Sequence, residues 1–177
     1  MRESDMLERT VRTGAGTGLR ADTLLASALL AELVAPGPDL WVVSAWISDV
    51  EILDNSYAGF SAILDERVGT TCRLSEMLGM IANAGSRLHI VTRPGAHNEA
   101  FVSRVRAAMR DPRPLHVEFD AEVHEKTMCG RDWILSGSMN FTVNGLGSSK
   151  EQVTYTVGGG KAAQAHLDFS EQWGTRA

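Results

Sequence analysis

The sequence predicts an α/β fold in which a mixed sheet is flanked by helices on both faces of a single domain. Strand-like and helix-like segments alternate early in the chain, and several strand-like segments then follow one another closely. Together the two patterns predict an α/β sandwich with a mixed sheet. The length of 177 residues fits one domain with one core, and no linker is long enough to separate two domains.

The first twenty residues are interpreted as a flexible N-terminal arm (1–20), which leaves residues 21–177 as the domain. The arm has no apolar centre and is therefore not expected to be a secretory signal. GAGTG at 14–18 is similar to a nucleotide-binding glycine loop. It follows no strand and lacks the full GxGxxG spacing, so we interpret it as part of the arm.

The first helix is predicted at 22–34, with Asp22 as its N-cap and Pro36 and Pro38 beyond its end. LWVVSAWI at 40–47 is predicted to be a buried strand, and SDVEILDN after it a loop. The later elements are, in order, a helix from Leu74 to Ile81, a strand at 87–93, a helix that Asn98 caps, a strand at 115–119, the strand-like segments EVHEKTM, DWILSG and EQVTYTV, and a helix from about Lys161 to Trp173.

Composition is that of a globular protein, with 44% hydrophobic and 22% charged residues. The longest apolar run, LLASALLAELV, is too short to span a bilayer and carries Glu32, so we expect a cytoplasmic protein that does not enter membranes. Cys72 and Cys129 are expected to be reduced thiols. The net charge of −5 argues against a protein that coats nucleic acid, but a local basic groove stays compatible with it.

The segment HEKTMCGRDWILSGSMN contains the residues that can carry chemistry. On a strand, His124 and Lys126 point to the same face, about 7 Å apart. A hairpin returns the chain through WILS and brings Ser138 and Asn140 to the same surface. An imidazole beside a cation and neutral donors suits attack on a phosphodiester. No carboxylate cluster accompanies them, so neither a metal nor another cofactor is expected.

An arbitrary H-x-K is more often a strand histidine and a solvated lysine than a catalytic pair. Here, however, HEK followed by GSMNFT resembles the HKD signature of the phospholipase D superfamily, H-x-K-x4-D-x6-G-S-x-N. Glu151 in KEQV resembles the carboxylate that supports the catalytic histidine in that family. The segments VVSAWISD and VTRPGAHNEAF are also similar to parts of its small bacterial members. More narrowly, residues 115–147 are similar to the DpdK-type phospholipase D-like proteins encoded beside bacterial DNA-modification and phage-defence systems.

The hairpin departs from the family signature at its aspartate. The family position five residues after the lysine is Arg131 here, and Asp132 follows one residue later. The separation between Lys126 and Gly137 is eleven residues instead of twelve. Asp132 is therefore a possible supporting residue, and a role as a turn-former is equally compatible with its position.

The resemblance implies a phospholipase D-like fold and a metal-independent phosphodiesterase, most simply a nuclease. Family enzymes use two HKD motifs, and this chain has one, so a homodimer with a shared site is expected. His124 of one subunit would form a phosphohistidine, while His124 of the partner subunit would act as acid and then as base. Glu151 would accept a hydrogen bond from the ring.

Two other functions stay open at this point. The chain could be a weak or inactive nucleic-acid-binding or scaffold subunit of a DNA-modification or defence system, with other defence proteins as partners. A phospholipid phosphodiesterase is the third possibility, although no lipid anchor or basic surface helix supports it. Arg104 and Arg106, with Arg110 and Arg113, form the one basic cluster of the sequence; a solvated helix face is its ordinary role, and contact with a phosphate backbone is the alternative.

Overall fold

The computed structural model of the protein describes residues 6–13, 21–147 and 150–174, and these ranges hold nine strands and five helices. The strands are β1 (Leu7–Arg12), β2 (Asp39–Ser44), β3 (Glu51–Asp54), β4 (Thr71–Arg73), β5 (Arg87–Thr92), β6 (Leu115–Phe119), β7 (Lys126–Cys129), β8 (Trp133–Gly137) and β9 (Gln152–Val157). The helices are α1 (Asp22–Val34), α2 (Leu74–Asn83), α3 (Ala96–Ala108), α4 (Val143–Gly147) and α5 (Lys161–Trp173).

Seven of these strands form one mixed sheet in the order β1-β9-β8-β7-β2-β5-β6. The pairs β2–β5 and β5–β6 are parallel, because α2 and α3 carry the chain back between them. The pairs β2–β7, β7–β8, β8–β9 and β9–β1 are antiparallel. Strands β3 and β4 form a separate two-stranded ribbon. The mixed sheet that the sequence predicts is therefore confirmed.

Helices cover both faces of the sheet, and each face has its own core. Leu40 and Val42 of β2 point toward α1, α2 and α3 in the larger core. Trp41 and Val43 alternate to the other face, where Phe169 of α5 packs against them. Side chains of β2 alternate between two buried faces. Because both faces are buried, the strand is an almost continuous apolar run.

Part of the predicted N-terminal arm belongs to the sheet. Leu7–Arg12 form β1, which pairs with β9 from Leu7–Val157 to Arg12–Gln152. The expectation of a flexible arm is wrong for these six residues. Val11 is the one buried residue of the strand, so this edge strand has no alternating apolar pattern to reveal it. Residues 1–5 and 14–20 of the predicted arm, which include GAGTG at 14–18, lie outside the described ranges.

Three local predictions need correction. SDVEILDN, predicted as a loop, contains β3, whose partner is only the three-residue strand β4. Asp22 is the first residue of α1 and follows the N-cap, Ala21. Asn98 lies inside α3 and is fully buried. Its side-chain amide does not cap the helix and instead hydrogen-bonds to backbone groups just after the ends of β2 and β5.

Both cysteines are buried free thiols. Burial raises the pKa of Cys72 and of Cys129 to about 12, and nearby carboxylates add to the effect. Neither thiol therefore forms the reactive thiolate near neutral pH. Within the described ranges, no helix is long and apolar enough to cross a lipid bilayer.

Candidate active site

The carboxyl ends of the parallel strands define the edge of the sheet at which the predicted site residues meet. Strands β2, β5 and β6 end there, β8 also ends there, and β7 and β9 begin there. His124 precedes β7, and Lys126 is its first residue. Ser138 and Asn140 follow β8, and Glu151 precedes β9. The structure thus brings these five residues to one edge, which is the usual location of ligand sites in open α/β sheets.

His124 lies in the segment leading into β7, because the strand begins at Lys126, four residues after the start of the predicted segment EVHEKTM. Its side chain is exposed, and Arg93 lies against the ring. Nη2 of Arg93 is 3.1 Å from Nδ1 and 3.2 Å from Nε2 of His124. A guanidinium only donates, so it can hydrogen-bond only to whichever of the two ring nitrogens carries no proton.

Lys126 is held close to the same histidine by its ammonium group. Nζ donates to the backbone carbonyl of His124 at 2.8 Å. Because an ammonium has three donors, this bond does not exhaust its capacity to bind an anion. The group lines a cleft of about 410 Å³. The residues around this cleft are Asp120, Glu122, Val123, His124, Glu125, Lys126, Gly137, Gln172 and Trp173.

Ser138 and Glu151 are hydrogen-bonded to each other between the end of β8 and the start of β9. The Ser138 hydroxyl donates to Oε2 of Glu151, and its oxygen accepts from the backbone N–H of Gln152 at 3.1 Å. Among the described residues, the carboxylate of Glu151 makes no hydrogen bond to His124. The predicted contact with the ring is therefore not formed within one chain, because Ser138 lies nearer on the paired strands.

Asn140 is half-buried and is fixed by Ser44. Oδ1 of Asn140 accepts from the Ser44 hydroxyl at 3.3 Å, and the same hydroxyl lies 3.0 Å from the carbonyl of Trp46. Ser44 is fully buried and is the register partner of Lys126. The Asn140 amide oxygen is thus directed into the protein, which leaves the NH₂ group as the donor toward a ligand.

Asp132 is not brought to this edge. It lies in the exposed turn between β7 and β8, and its carbonyl accepts from the backbone N–H of Gly158 at 2.8 Å. The length of β7, about 13 Å for four residues, separates it from His124. The position of Asp132 favours the role of a turn residue, and a supporting role would have to act across the length of β7.

Arg104 and Arg106 are exposed on α3 and do not line the His124 cleft. Arg104 borders a different cavity of about 370 Å³, together with Asp49 and Arg73. Over the described part of the chain, neither Arg104 nor Arg106 forms an ion pair. The other two arginines of the basic cluster do: Arg110 pairs with Asp65 at 3.1 Å, and Arg113 pairs with Asp111 at 2.6 Å.

Sequence reasoning missed Arg93 and Ser44. Arg93 is the last residue of the predicted strand 87–93 and stands directly before Pro94-Gly95. A cation at the carboxyl end of a parallel strand is a signal that could have identified it. Ser44 carried no such signal, because it is one small polar residue in the buried run LWVVSAWI. In the described ranges, no three His, Cys, Asp or Glu side chains are grouped so as to hold a metal ion.

The mixed seven-stranded sheet with helices on both faces is a phospholipase D-like fold. The structure is similar to that of Nuc, a phospholipase D family member from Salmonella typhimurium, with a TM-score of 0.60, 12% identity, and coverage of 94% of this chain and 93% of that one. NucT from Helicobacter pylori gives a TM-score of 0.60 at 10% identity, over 94% and 95% of the two chains.

The same fold also occurs within a much longer protein. Polyphosphate kinase from Porphyromonas gingivalis gives a TM-score of 0.64 at 10% identity, over 97% of this chain and 26% of that one. No protein-family model and no curated protein matches the sequence. The similarity is therefore one of three-dimensional structure, and the predicted phospholipase D-like fold is confirmed.

Proposed function

We propose that the protein is a metal-independent phosphodiesterase that uses His124 as its nucleophile. The observation that carries this proposal is the placement of two cations on one exposed histidine. Arg93 contacts both nitrogens of the ring, and Lys126 binds the backbone carbonyl of the same residue. A phosphodiester needs such an arrangement, because its non-bridging oxygens must be neutralised while a nucleophile approaches phosphorus.

In the proposed first step, an imidazole nitrogen of His124 forms a bond to phosphorus and the bond to the leaving oxygen breaks. The leaving oxygen takes a proton from a general acid. In the second step, water attacks the phosphohistidine, gives a proton to the same group, and releases the ring. Lys126, Arg93 and the amide of Asn140 supply the donors for the non-bridging oxygens. The Ser138 hydroxyl donates its one proton to Glu151, so Ser138 serves to hold Glu151 at this edge.

The general acid in this proposal is His124 of the partner subunit in a homodimer. The chain contains one H-x-K, and His124 is exposed at the carboxyl edge, so a two-fold axis beside this edge brings two copies together. Such a contact is isologous and yields two equivalent histidines. One acts as nucleophile and the other as acid and then base.

Nucleic acid is the substrate that we propose. Arg104 and Arg106 provide exposed positive charge that no described carboxylate neutralises, and a polyanion can use charge at a distance from the scissile bond. By its resemblance to DpdK-type proteins, the chain is proposed to act in phage defence, with proteins of a defence system as further partners.

The direct test is incubation of the protein with single-stranded DNA, duplex DNA, RNA and an aryl phosphodiester, all in chelator. We expect hydrolysis by the wild-type protein and none by His124→Ala. His116→Gln is a matched control, because His116 lies near the amino end of β6, away from the edge that holds the candidate site. Hydrolysis that chelator stops and Mg²⁺ or Mn²⁺ restores would refute the mechanism. Hydrolysis of phosphatidylcholine vesicles with no action on any nucleic acid would overturn the substrate class and identify a phospholipid phosphodiesterase.

A second candidate function is a nucleic-acid-binding or scaffold subunit without catalysis. The contact of Glu151 with Ser138 favours it, because it occupies the carboxylate that the resemblance assigns to the histidine ring. One measurement distinguishes the binding subunit from the enzyme. Salt-dependent binding of oligonucleotides without any product, under every condition above, would support the binding subunit and exclude the enzyme.

A further inference from the structure

The indole of Trp46 is exposed beside the candidate active site. Its exposed fraction is 42%, whereas Trp41 and Trp133 are each 2% exposed and lie in the cores. Trp46 follows the end of β2 by two residues, and two residues span at most about 7 Å. Since Ser44 is the register partner of Lys126, Trp46 stands next to the proposed phosphate site on the neighbouring strand.

The backbone that carries this indole is fixed on both sides by a buried amide. Nδ2 of Asn98 donates to the carbonyl of Ala45 at 3.0 Å and to the carbonyl of Arg93 at 2.8 Å. Oδ1 of Asn98 accepts from the N–H of Ile47 at 3.1 Å. Asn98 thus ties the Trp46 segment to the residue that contacts His124. The position of the backbone that carries the indole is therefore set by the fold before any ligand binds.

His97 supports the indole from one side without stacking on it. The two ring centroids are 6.3 Å apart, and the planes meet at 65° in an edge-to-face arrangement. Nε2 of His97 is 3.2 Å from the hydroxyl of Ser48, which orients the imidazole. Because the imidazole is tilted, it does not occupy an indole face in the way that a parallel ring would.

We propose that Trp46 stacks on a base adjacent to the phosphodiester that His124 attacks, so that the preferred ligand is a single-stranded or unpaired nucleic acid. This inference rests on the proposed function and adds the strandedness of the substrate. The hydroxyl of Ser44 lies 3.0 Å from the backbone carbonyl of Trp46 and 3.3 Å from Oδ1 of Asn140. The backbone that carries the indole is therefore next to the Asn140 donor, so a base on the indole would leave its phosphate near the donors. A base inside a duplex is already stacked on both faces, whereas an unpaired base offers a free face.

The test is binding of labelled strands to the protein in a His124→Ala background, which prevents cleavage. Three ligands of equal length are compared: single-stranded oligodeoxythymidine, the same strand annealed to its complement, and an abasic deoxyribose-phosphate strand. Trp46→Ala and Trp46→Leu remove the ring, and Trp46→Phe keeps an aromatic ring. Tyr57→Ala is the matched control, because Tyr57 is 95% exposed between β3 and β4.

We expect the two ring-deleting variants to bind the oligodeoxythymidine roughly 5- to 150-fold more weakly, which corresponds to the loss of one base–aromatic stack. Affinity for the abasic strand should change by less than about twofold, and Trp46→Phe should keep most of the affinity. Equal losses on the base-containing and abasic strands, or no loss on either, would overturn the proposal. So would a loss that accompanies dissociation of a dimer and is reversed at higher protein concentration, because Trp46 would then be an interface residue.

The result of this binding test can be distinguished from the result of the hydrolysis test of the proposed function. Absence of any hydrolysis product from the wild-type protein refutes the phosphodiesterase. The base-dependent difference in affinity still decides the role of Trp46. Conversely, hydrolysis of the aryl phosphodiester by a protein that does not distinguish base-containing from abasic strands supports the enzyme and refutes the stacking site.

Discussion

The guanidinium of Arg93 covers both nitrogens of the His124 imidazole, at 3.1 and 3.2 Å from the same Nη2 atom. Arg93 follows β5 and His124 precedes β7, while β2 lies between these two strands in the sheet. The side chain is anchored on the way by its Nε, which donates to the carbonyl of Val123 at 3.0 Å. A phosphate group is a better acceptor for a guanidinium than a neutral imidazole is. Substrate would therefore draw the donors away from the ring and free the ring for attack.

This relationship predicts that Arg93 contributes to catalysis. We expect Arg93→Ala to lower kcat/KM on an aryl phosphodiester by about 10²- to 10³-fold, the usual cost of removing one donor to a developing oxyanion. Arg93→Lys should recover part of the loss, because an ammonium keeps the charge but lacks the fork of parallel donors. Arg113→Ala is the control, since that guanidinium is already paired with Asp111. Activity of Arg93→Ala equal to or above that of the wild type would show that the guanidinium only blocks the ring.

Glu151 and Asp132 should differ in their effect on activity. Glu151→Gln removes the negative charge from the group that accepts from the Ser138 hydroxyl at the carboxyl edge, and we expect a loss of about 10-fold or more in kcat. Asp132→Asn alters an exposed turn about 13 Å away, and activity should stay within about twofold of the wild type. Initial rates of the two variants at saturating substrate provide the comparison. The reverse order would mean that Asp132 acts on the site across the length of β7.

The stability of the fold should depend on one buried carboxylate, that of Glu32. It is 1% exposed and accepts from the N–H of Gly37 at 2.6 Å, the N–H of Arg131 at 3.2 Å and Nε1 of Trp133 at 2.7 Å. Glu32→Ala leaves these donors without an acceptor and should lower the free energy of unfolding by about 3 to 5 kcal/mol.

Urea denaturation measures this change in the free energy of unfolding. Glu32→Gln keeps one acceptor oxygen and should cost less, about 1 to 3 kcal/mol. Glu99→Gln, on the exposed surface of α3, should change the value by about 0.5 kcal/mol or less. A Glu32→Ala protein as stable as the wild type would show that water or a shifted loop satisfies the three donors.

The elements that the sequence predicts well carry a local pattern, which is an apolar run or alternation in the strands and helical periodicity in the helices. β6 and the last helix have the predicted bounds, β5 lies within its predicted range, and β2 begins one residue before its predicted range of 40–47. Strands β1 and β3 were missed for a physical reason. One is an edge strand with a single buried residue, and the other pairs only with a three-residue strand. Their stability comes from tertiary pairing, which local apolar periodicity does not reveal.

In the candidate site, too, the residues that follow a local sequence pattern are predicted, and the contacts that depend on tertiary structure are not. The H-x-K spacing and the Gly-Ser-Met-Asn turn place His124, Lys126 and Asn140 at one edge, because a hairpin returns the chain to its starting point. The contact of Arg93 with His124 depends on a long side chain that reaches past the end of β2, and no local pattern encodes it. The bond between Ser138 and Glu151 likewise arises from the pairing of β8 with β9.

A site shared by two subunits predicts a specific result for mixed dimers. We expect sedimentation to show a dimer at micromolar protein concentration. Heterodimers of wild-type and His124→Ala chains, purified through two different affinity tags, should have only a few per cent or less of wild-type activity, because nucleophile and acid would each be His124 of a different subunit. Heterodimers with about half of the wild-type rate would show that each subunit holds a complete site. A fully active monomer would exclude the shared site.

The last prediction concerns the unpaired arginines of α3. If Arg104 and Arg106 contact the phosphate backbone, their binding releases counterions, and affinity should fall steeply as the salt concentration rises. The double variant Arg104→Glu and Arg106→Glu should then bind all sequences more weakly. The slope of log affinity against log salt should become shallower by about 0.7 to 0.9 for each phosphate that the variant no longer neutralises.

Arg110→Glu with Arg113→Glu is the matched control for this double charge reversal. It makes the same change in net charge near the end of the same helix, but it acts on guanidiniums that Asp65 and Asp111 already neutralise. We expect a smaller loss of affinity and a salt slope close to that of the wild type. Equal effects of the two double variants would show that only net charge matters. Binding that ignores salt and both charge reversals would exclude α3 from the nucleic-acid interface, and the donors around His124 would then have to hold the strand alone.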